Sequence, residues 1–422
     1  MTLELVVLVA ALIGGLYMAW GIGANDVANA MGTSVGSGAL TLLAAIMVAG
    51  VLEFAGAVLI GSNVTQTISK GIVDTAMFEV TGPLGADGPM ILAIGMLCAL
   101  VAAAAWLHLA THLGLPVSTT HSIVGAVVGI GVASFGIGGV EWGTLGQIIG
   151  SWVVSPLLGG LLAFLSFFAI RRYILNQSDP VRATNRAAPY LVAIVVAVMV
   201  LSFIYKVLKN RTDVPPAVLA LGAAFGAGIV AGVLTFALVR NLAPAPGMSA
   251  YDYVERVFGV LQIATACFVA FAHGANDVAN AVGPLAAVVT LYQADFASVA
   301  GQVGVPLWVL VLGGGGIVLG LATMGYKVIA TIGKEITEIT PTRGFCAEFG
   351  AATTVLFASS LGLPISTTHT LVGAVIGVGF ARGIGALNMR VIRNIANSWI
   401  ATVPVSAGVA AILFLAVRAV AF

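Results

Sequence analysis

Apolar residues come in long uninterrupted blocks, and the polar and charged residues collect between them. The blocks cover residues 4–22, 39–61, 89–113, 120–138, 144–170, 190–208, 216–240, 257–275, 279–293, 304–330, 345–361, 369–386 and 395–420. A helix needs about 20 residues to cross the hydrocarbon of a bilayer, and many blocks are near that length. Transmembrane β-strands read as short alternating segments, whereas these blocks are continuously apolar and rich in Ala, Leu, Val and Gly. The pattern predicts an all-α membrane protein. Some blocks read as broken or re-entrant helices, which leaves about 12 crossings, give or take two.

Composition agrees with this reading. Of 422 residues, 60% are hydrophobic and 8% charged, against roughly 25% charged in soluble domains, too few to cover a water-facing surface. The net charge of +1 gives no ground for a nucleic-acid partner. Cys98, Cys267 and Cys346 lie scattered in apolar segments, with neither a disulfide framework nor a metal-ligand spacing. The start, Met1-Thr2-Leu3-Glu4, lacks a basic region, so the first block is expected to be a retained span. Among the connections, 171–189 is the most polar and holds Arg171, Arg172, Arg182 and Arg186 against Asp179. The excess of cations assigns it to the cytoplasmic side. Lys206, Lys209 and Arg211, one helix away, pull the opposite way.

An internal repeat organises the chain. The eight residues Gly23 to Ala30, Gly-Ala-Asn-Asp-Val-Ala-Asn-Ala, recur letter for letter from Gly274 to Ala281. Gly-Leu-Pro-Val-Ser-Thr-Thr-His, Gly114 to His121, recurs with Ile in place of Val from Gly362 to His369. Val-Gly-Ala-Val follows in both copies, at 124–127 and 372–375. Fainter matches link Gly61, Thr67, Ile68, Lys70 and Ile72 to Gly325, Thr331, Ile332, Lys334 and Ile336, and Ser151-Trp152 to Ser398-Trp399. Residues 1–170 and 251–422 are therefore read as two copies of one unit, with 171–250 as a connecting loop and two linking helices. Five crossings per copy and two linkers put an odd number between the two starts, so the copies are expected to be inverted. Inverted repeats place substrate and ion sites at their interface near the middle of the membrane.

Asp26 and Asp277 follow apolar blocks, and a carboxylate at mid-membrane costs about 2.5–3.5 kcal/mol on insertion scales. Gly and Asn around them suit a helix break whose carbonyls turn to a cavity. Ala24, Asn25, Asp26 and Asn29, with Ala275, Asn276, Asp277 and Asn280, then offer the oxygen set that sodium prefers. The plain alternative is a polar helix contact with a capping Asp. In the second motif, Pro116 and Pro364 are placed to open helices. Ser118, Thr119 and Thr120, with Ser366, Thr367 and Thr368, then stand at exposed helix N-termini. Free N–H groups, the positive dipole end and the hydroxyls together suit an oxyanion, and two facing N-termini can cradle one phosphate. Ordinary capping by Ser or Thr is the alternative. His121 and His369 either bind or protonate the anion, or only line its cavity.

No Arg or Lys lies within the four motif copies. Two aspartates beside an anion in low dielectric need neutralising cations or protons, and either one couples the anion to an ion gradient. Glu53 and Glu348 are acids in apolar surroundings and are expected to support the ion sites or gating contacts. Arg343 is near enough in sequence to pair with Glu348. Lys70 and Lys334 flank spans and read as cations reaching toward headgroups. His108 and His112, four apart without a third ligand, give no case for a transition metal. The glycines fit close helix packing, and Gly313 to Gly316 has no following Lys, which excludes a P-loop.

The two pairs of duplicated segments resemble the inorganic phosphate transporter (PiT) family over nearly the whole chain. The resemblance implies twelve spans in inverted repeats, a homodimer, and symport of phosphate with sodium ions or protons. It implies that Asp26 and Asp277 are the family's essential aspartates and that Glu53 and Glu348 are its intramembrane glutamates. The short loop between the halves resembles prokaryotic members, which implies the inner (plasma) membrane. His273 stands where the first copy has Ile22, so the half-sites differ. The expectation is a sodium-coupled phosphate importer with no other cofactor, and a proton-coupled phosphate or sulfate permease of the same fold is the alternative. An intramembrane hydrolase using Ser118 with His121, or Ser366 with His369, has no need of two facing copies. An ion channel shares the broken helices and is told apart by its currents.

Overall fold

In the computed structural model the described residues, 2–61, 72–205, 217–240, 242–299, 305–360 and 365–422, are helical with short connections. The helices are α1 (Leu3–Asp26), α2 (Ala28–Gly36), α3 (Leu42–Ile60), α4 (Gly88–His112), α5 (Thr119–Phe135), α6 (Trp142–Ile170) and α7 (Pro180–Phe203). They continue as α8 (Ala217–Val239), α9 (Ala250–Asp277), α10 (Ala279–Gln293), α11 (Leu307–Ala330), α12 (Pro341–Ser360), α13 (Thr367–Arg382) and α14 (Met389–Ala421). Ten helical stretches among the described residues are long and apolar enough to cross a membrane. Val51, Leu157, Val218, Ile229 and Ile400 are exposed on the outside. Such a surface suits lipid, not water.

Local chemistry sets the helix ends. Thr41, Asp179 and Ser249 cap α3, α7 and α9 by accepting a backbone N–H into the side chain, and Pro180 fills the first turn of α7, where its missing N–H costs nothing. Helices α5 and α13 stop at Gly136 and Gly383, whose φ angles of 71° and 115° lie in the region that favours glycine. Lys334 lies exposed just beyond α11, as expected of a flanking cation. Thr67, Ile68, Lys70, Lys206, Lys209, Arg211, Gly362, Leu363 and Pro364 lie outside the described residues.

Packing follows the sequence repeat. Helix α1 lies on α11 as α9 lies on α3, α4 lies on α1 as α12 lies on α9, and α5 meets α14 as α13 meets α6. The glycines of the duplicated motif make the first of these crossings possible. A Cβ on Gly23 would collide with the carbonyl of Ile317, and one on Gly274 with the carbonyl of Glu53. In this correspondence α3 matches α11, and α4 matches α12. Glu53 on α3 and Glu348 on α12 are therefore not each other's counterparts, although both are fully buried.

Candidate functional site

Asp26 ends α1 and Asp277 ends α9. One residue separates each from the next helix, and Val27 (φ −62°, ψ −22°) and Val278 (φ −54°, ψ −30°) keep helical dihedrals. The interruption is narrower than the Gly- and Asn-rich motif predicts. Val27 O accepts from Ala30 N at 3.0 Å and Met31 N at 3.1 Å, and Val278 O from Ala281 N at 3.1 Å and Val282 N at 2.9 Å. Few carbonyls are freed because the backbone regains its ladder at once. Ala24 and Ala275 sit buried in the last turns of α1 and α9, where helix carbonyls lose their usual partner.

The other motif does open two helices, but through ordinary serine capping, and Pro116 lies ahead of the cap of α5 and not in its first turn. Ser118 caps α5 and accepts from His121 N at 3.2 Å, and Ser366 caps α13 and accepts from His369 N at 3.2 Å. Thr119 with Thr120, and Thr367 with Thr368, open the first turns. The two N-termini meet at the aspartates. Asp26 accepts from Thr119 Oγ1 at 2.6 Å on one carboxylate oxygen and from Thr368 Oγ1 at 2.8 Å on the other. Asn29 Nδ2 donates to Thr368 Oγ1 at 2.8 Å, and Asn280 Nδ2 to Thr119 Oγ1 at 3.1 Å and Thr120 Oγ1 at 3.2 Å. Each asparagine thus reaches the hydroxyls of the other copy. Asp277 accepts from Thr367 Oγ1 at 3.3 Å and from Asn276 Nδ2 at 2.7 Å. Asn25 is committed to the turn between α4 and α5. It accepts from Val117 N at 3.0 Å and donates to Thr111 Oγ1 at 2.9 Å and Leu115 O at 3.0 Å.

Of the sequence-predicted residues, the structure brings Asp26, Asn29, Asp277, Asn280 and the four threonines into one cluster, buried except at the half-buried Thr120 and Thr367. Ser118 and Ser366 stand behind it as caps. The two glutamates part company. Glu53 Oε1 lies 3.1 Å from His273 Nδ1, whereas Glu348 is held by hydroxyls and an amide. It accepts from Thr33 Oγ1 at 2.5 Å, Ser34 Oγ at 3.0 Å, Gln262 Nε2 at 3.4 Å and Thr265 Oγ1 at 2.5 Å. Arg343 pairs with Glu338 at 3.2 Å; it does not pair with Glu348, because Glu338 and Arg343 sit where α12 begins, outside the bundle interior.

His273 is the main residue that the motifs did not reveal. Besides Glu53 it lies 2.8 Å from Asp277 Oδ2 and 3.9 Å from Asp26 Oδ2. These are ion-pair distances, but the ring is misaligned for directed hydrogen bonds. Ligand atoms of Asp26, His273 and Asp277 lie within 4.8 Å of one another, close enough to hold one cation. The available signal was the single change, Ile22 to His273, between two otherwise identical segments. The paired tryptophans were also noticed without a role. The His121 and His369 rings meet at 4.3 Å, with Trp152 stacked at 3.4 Å on the first and Trp399 at 3.7 Å on the second. Trp399 Nε1 donates to Pro116 O at 2.9 Å. A cavity of about 50 Å³ beside the cluster, lined by Asn29, Ser202, His273, Thr367 and apolar side chains, has room for a few waters.

Acids, amides and helix N-termini converge inside a polytopic helical bundle, an arrangement that suits a membrane transporter. The chain belongs to the phosphate transporter family, whose model matches residues 22–410. A protein of Pyrococcus abyssi is 48% identical over 407 residues, covering 96% of this chain and 97% of its own. The Inorganic phosphate transporter 2-1, chloroplastic, of Arabidopsis thaliana is 47% identical over 430 residues, covering 96% of this chain and 71% of its own. A solved structure, described as the sodium-dependent phosphate transporter, superposes with a TM-score of 0.86 at 44% identity, covering 98% of this chain and 99% of its own.

Proposed function

We propose that this transporter imports inorganic phosphate together with sodium ions by alternating access, as a homodimer in the inner (plasma) membrane. The observation that carries the reading is Asp26 accepting hydroxyls from the helix N-termini of both copies, Thr119 at 2.6 Å and Thr368 at 2.8 Å. A hydroxyl has one proton to donate, so each threonine serves either an aspartate or a phosphate oxygen. Sodium on Asp26 and Asp277, completed by Asn29, Asn280, Asn276 and the carbonyls of Ala24 and Ala275, relieves the carboxylates of their need for those protons. The threonines, with the N–H groups that Ser118 and Ser366 position, then turn to the phosphate. Charge enforces the order. Two unit charges 4 Å apart repel by about 4 kcal/mol at an effective dielectric of 20, and Asp26, Glu53 and Asp277 already crowd one imidazole. Phosphate joins them only with cations.

Residues 1–170 and 251–422 act as inverted repeats in this scheme, joined by 171–250. Support comes from the exchanged helix packing and from the candidate spans before α9, which number seven among the described residues; an odd number turns the second copy over. The test is uptake of labelled phosphate into proteoliposomes with a sodium gradient and equal pH on both sides. Uptake is expected for the wild type and is lost in Asp26→Asn and Asp277→Asn. Uptake that ignores sodium overturns the coupling. The buried His273 among three carboxylates favours a second reading, proton coupling, which predicts uptake on a pH gradient without sodium.

A further inference from the structure

Away from the transport cluster, the antiparallel pair α7 and α8 carries a cavity of about 910 Å³ that the phosphate reading does not use. The two helices are close at Gly228 and Gly232, where an added Cβ would press on the carbonyls of Ala193 and Pro189. From there the cavity runs to the end of the hairpin where α7 begins and α8 stops. Its inner wall is apolar and bilayer-facing, with Tyr190, Ile229, Val233 and Phe236 exposed. Its mouth holds Arg182, Arg186 and Arg240. Among the described residues, none of the three arginines has a carboxylate within ion-pair distance. The one acid at the mouth, Asp179, is turned to capping and accepts from Arg182 N at 3.0 Å. The rim is anchored by Asn185, which donates to Leu242 O at 2.8 Å and accepts from Tyr253 Oη at 2.6 Å.

Three unpaired guanidinium groups above an apolar groove match one kind of molecule, with a phosphate head and hydrocarbon tails. We propose that this cavity is a binding site for an anionic phospholipid of the bilayer, phosphatidylglycerol or cardiolipin. The arginines hold the phosphodiester and the acyl chains lie against Ile229, Val233 and Phe236. Arginine forms bidentate bonds to phosphate, and basic pockets between transmembrane helices on the cytoplasmic side bind such headgroups. The same end of the molecule carries Arg171 and Arg172 after α6, which agrees with that side. A second copy of the chain fits the face less well. A two-fold interface sets a patch against itself, and here it would bring unpaired arginines together.

Native mass spectrometry of the full-length protein in detergent tests the site with phosphatidylglycerol, cardiolipin or phosphatidylcholine added. The wild type should retain the anionic lipids in preference to phosphatidylcholine, and millimolar inorganic phosphate should not displace them. A polybasic contact is worth about 1 kcal/mol per arginine. The combined variant Arg182→Gln, Arg186→Gln and Arg240→Gln should therefore lower retention on the order of 100-fold, and each single change about fivefold. The single changes decide the matter if the combined variant does not fold. Val233→Trp, which fills the groove and leaves the charges, should lower retention as well. Equal retention by the wild type and the arginine variants overturns the proposal. So does equal retention of phosphatidylcholine, or displacement by inorganic phosphate. Cross-linking of two copies through Val233→Cys, with lipid excluded, overturns it too.

Discussion

Substituting Gly274 by Ala tests whether the glycines of the duplicated motif are there for helix crossing. The new Cβ would overlap the Glu53 carbonyl oxygen and lie 2.5 Å from its Cα and 2.7 Å from its carbonyl carbon. All three are backbone atoms, so no side chain can swing aside, and α3 must retreat from α9 by about 1 Å to restore van der Waals contact. Overpacking of this kind costs about 1–3 kcal/mol. The retreat also lengthens the contact between Glu53 and His273 from 3.1 Å. At an effective dielectric of 20, that stretch weakens a charged pair by about 1 kcal/mol. The sum is about 3 kcal/mol, read as a lower melting temperature in detergent, and sodium-driven phosphate uptake should fall with it. Gly315→Ala is the control, because a Cβ there has nothing within 4 Å. Indistinguishable melting and uptake for the two variants would refute the close-crossing argument.

Three further outcomes follow from the geometry. Thr368→Val removes the bond to Asp26 at 2.8 Å and the bond from Asn29 at 2.8 Å. The loss expected in thermal stability is about 1.5–3 kcal/mol, and purely additive effects with Asp26→Asn in a double-mutant cycle would contradict a direct bond. Glu348→Gln sets an amide N–H₂ among hydroxyl and amide donors, and should destabilise by about 1–3 kcal/mol; a melt equal to the wild type's would show that the acid is not held as a carboxylate. Arg343 and then Arg382 hold the exposed Glu338 carboxyl below its ordinary 4.5. Its stabilising contribution is therefore present above that ordinary value and lost as the pH falls through the lowered one. Melting of Glu338→Gln against the wild type should differ slightly at neutral pH and converge in acid, and a gap that widens in acid would reverse the sign.

The sequence already carried the helical membrane fold and most of the cluster, because the site is made of short motifs and the chain writes each motif twice. Asp26, Asn29, Thr119 and their counterparts came from local patterns whose purpose was readable from residue type. What escaped depends on distance between segments. His273 looked like a blemish in the repeat until α9 and α3 were placed side by side and Glu53 fell against it. Glu53 and Glu348 share one description in the sequence, lone acids in apolar runs, but the fold gives them different surroundings, one beside an imidazole and one in a cage of hydroxyls. The narrow interruption at Val27 and Val278 was equally hidden, since Gly and Asn permit a wide break without requiring one.

The contact between His121 and His369 has a consequence for movement. These residues are each other's counterparts in the duplicated sequence, so swapping the surroundings of the two halves maps their contact onto itself. In the alternating access proposed above, an exchange of the two halves' surroundings would leave this contact in place, which makes the two imidazoles, clasped between Trp152 and Trp399, the candidate pivot.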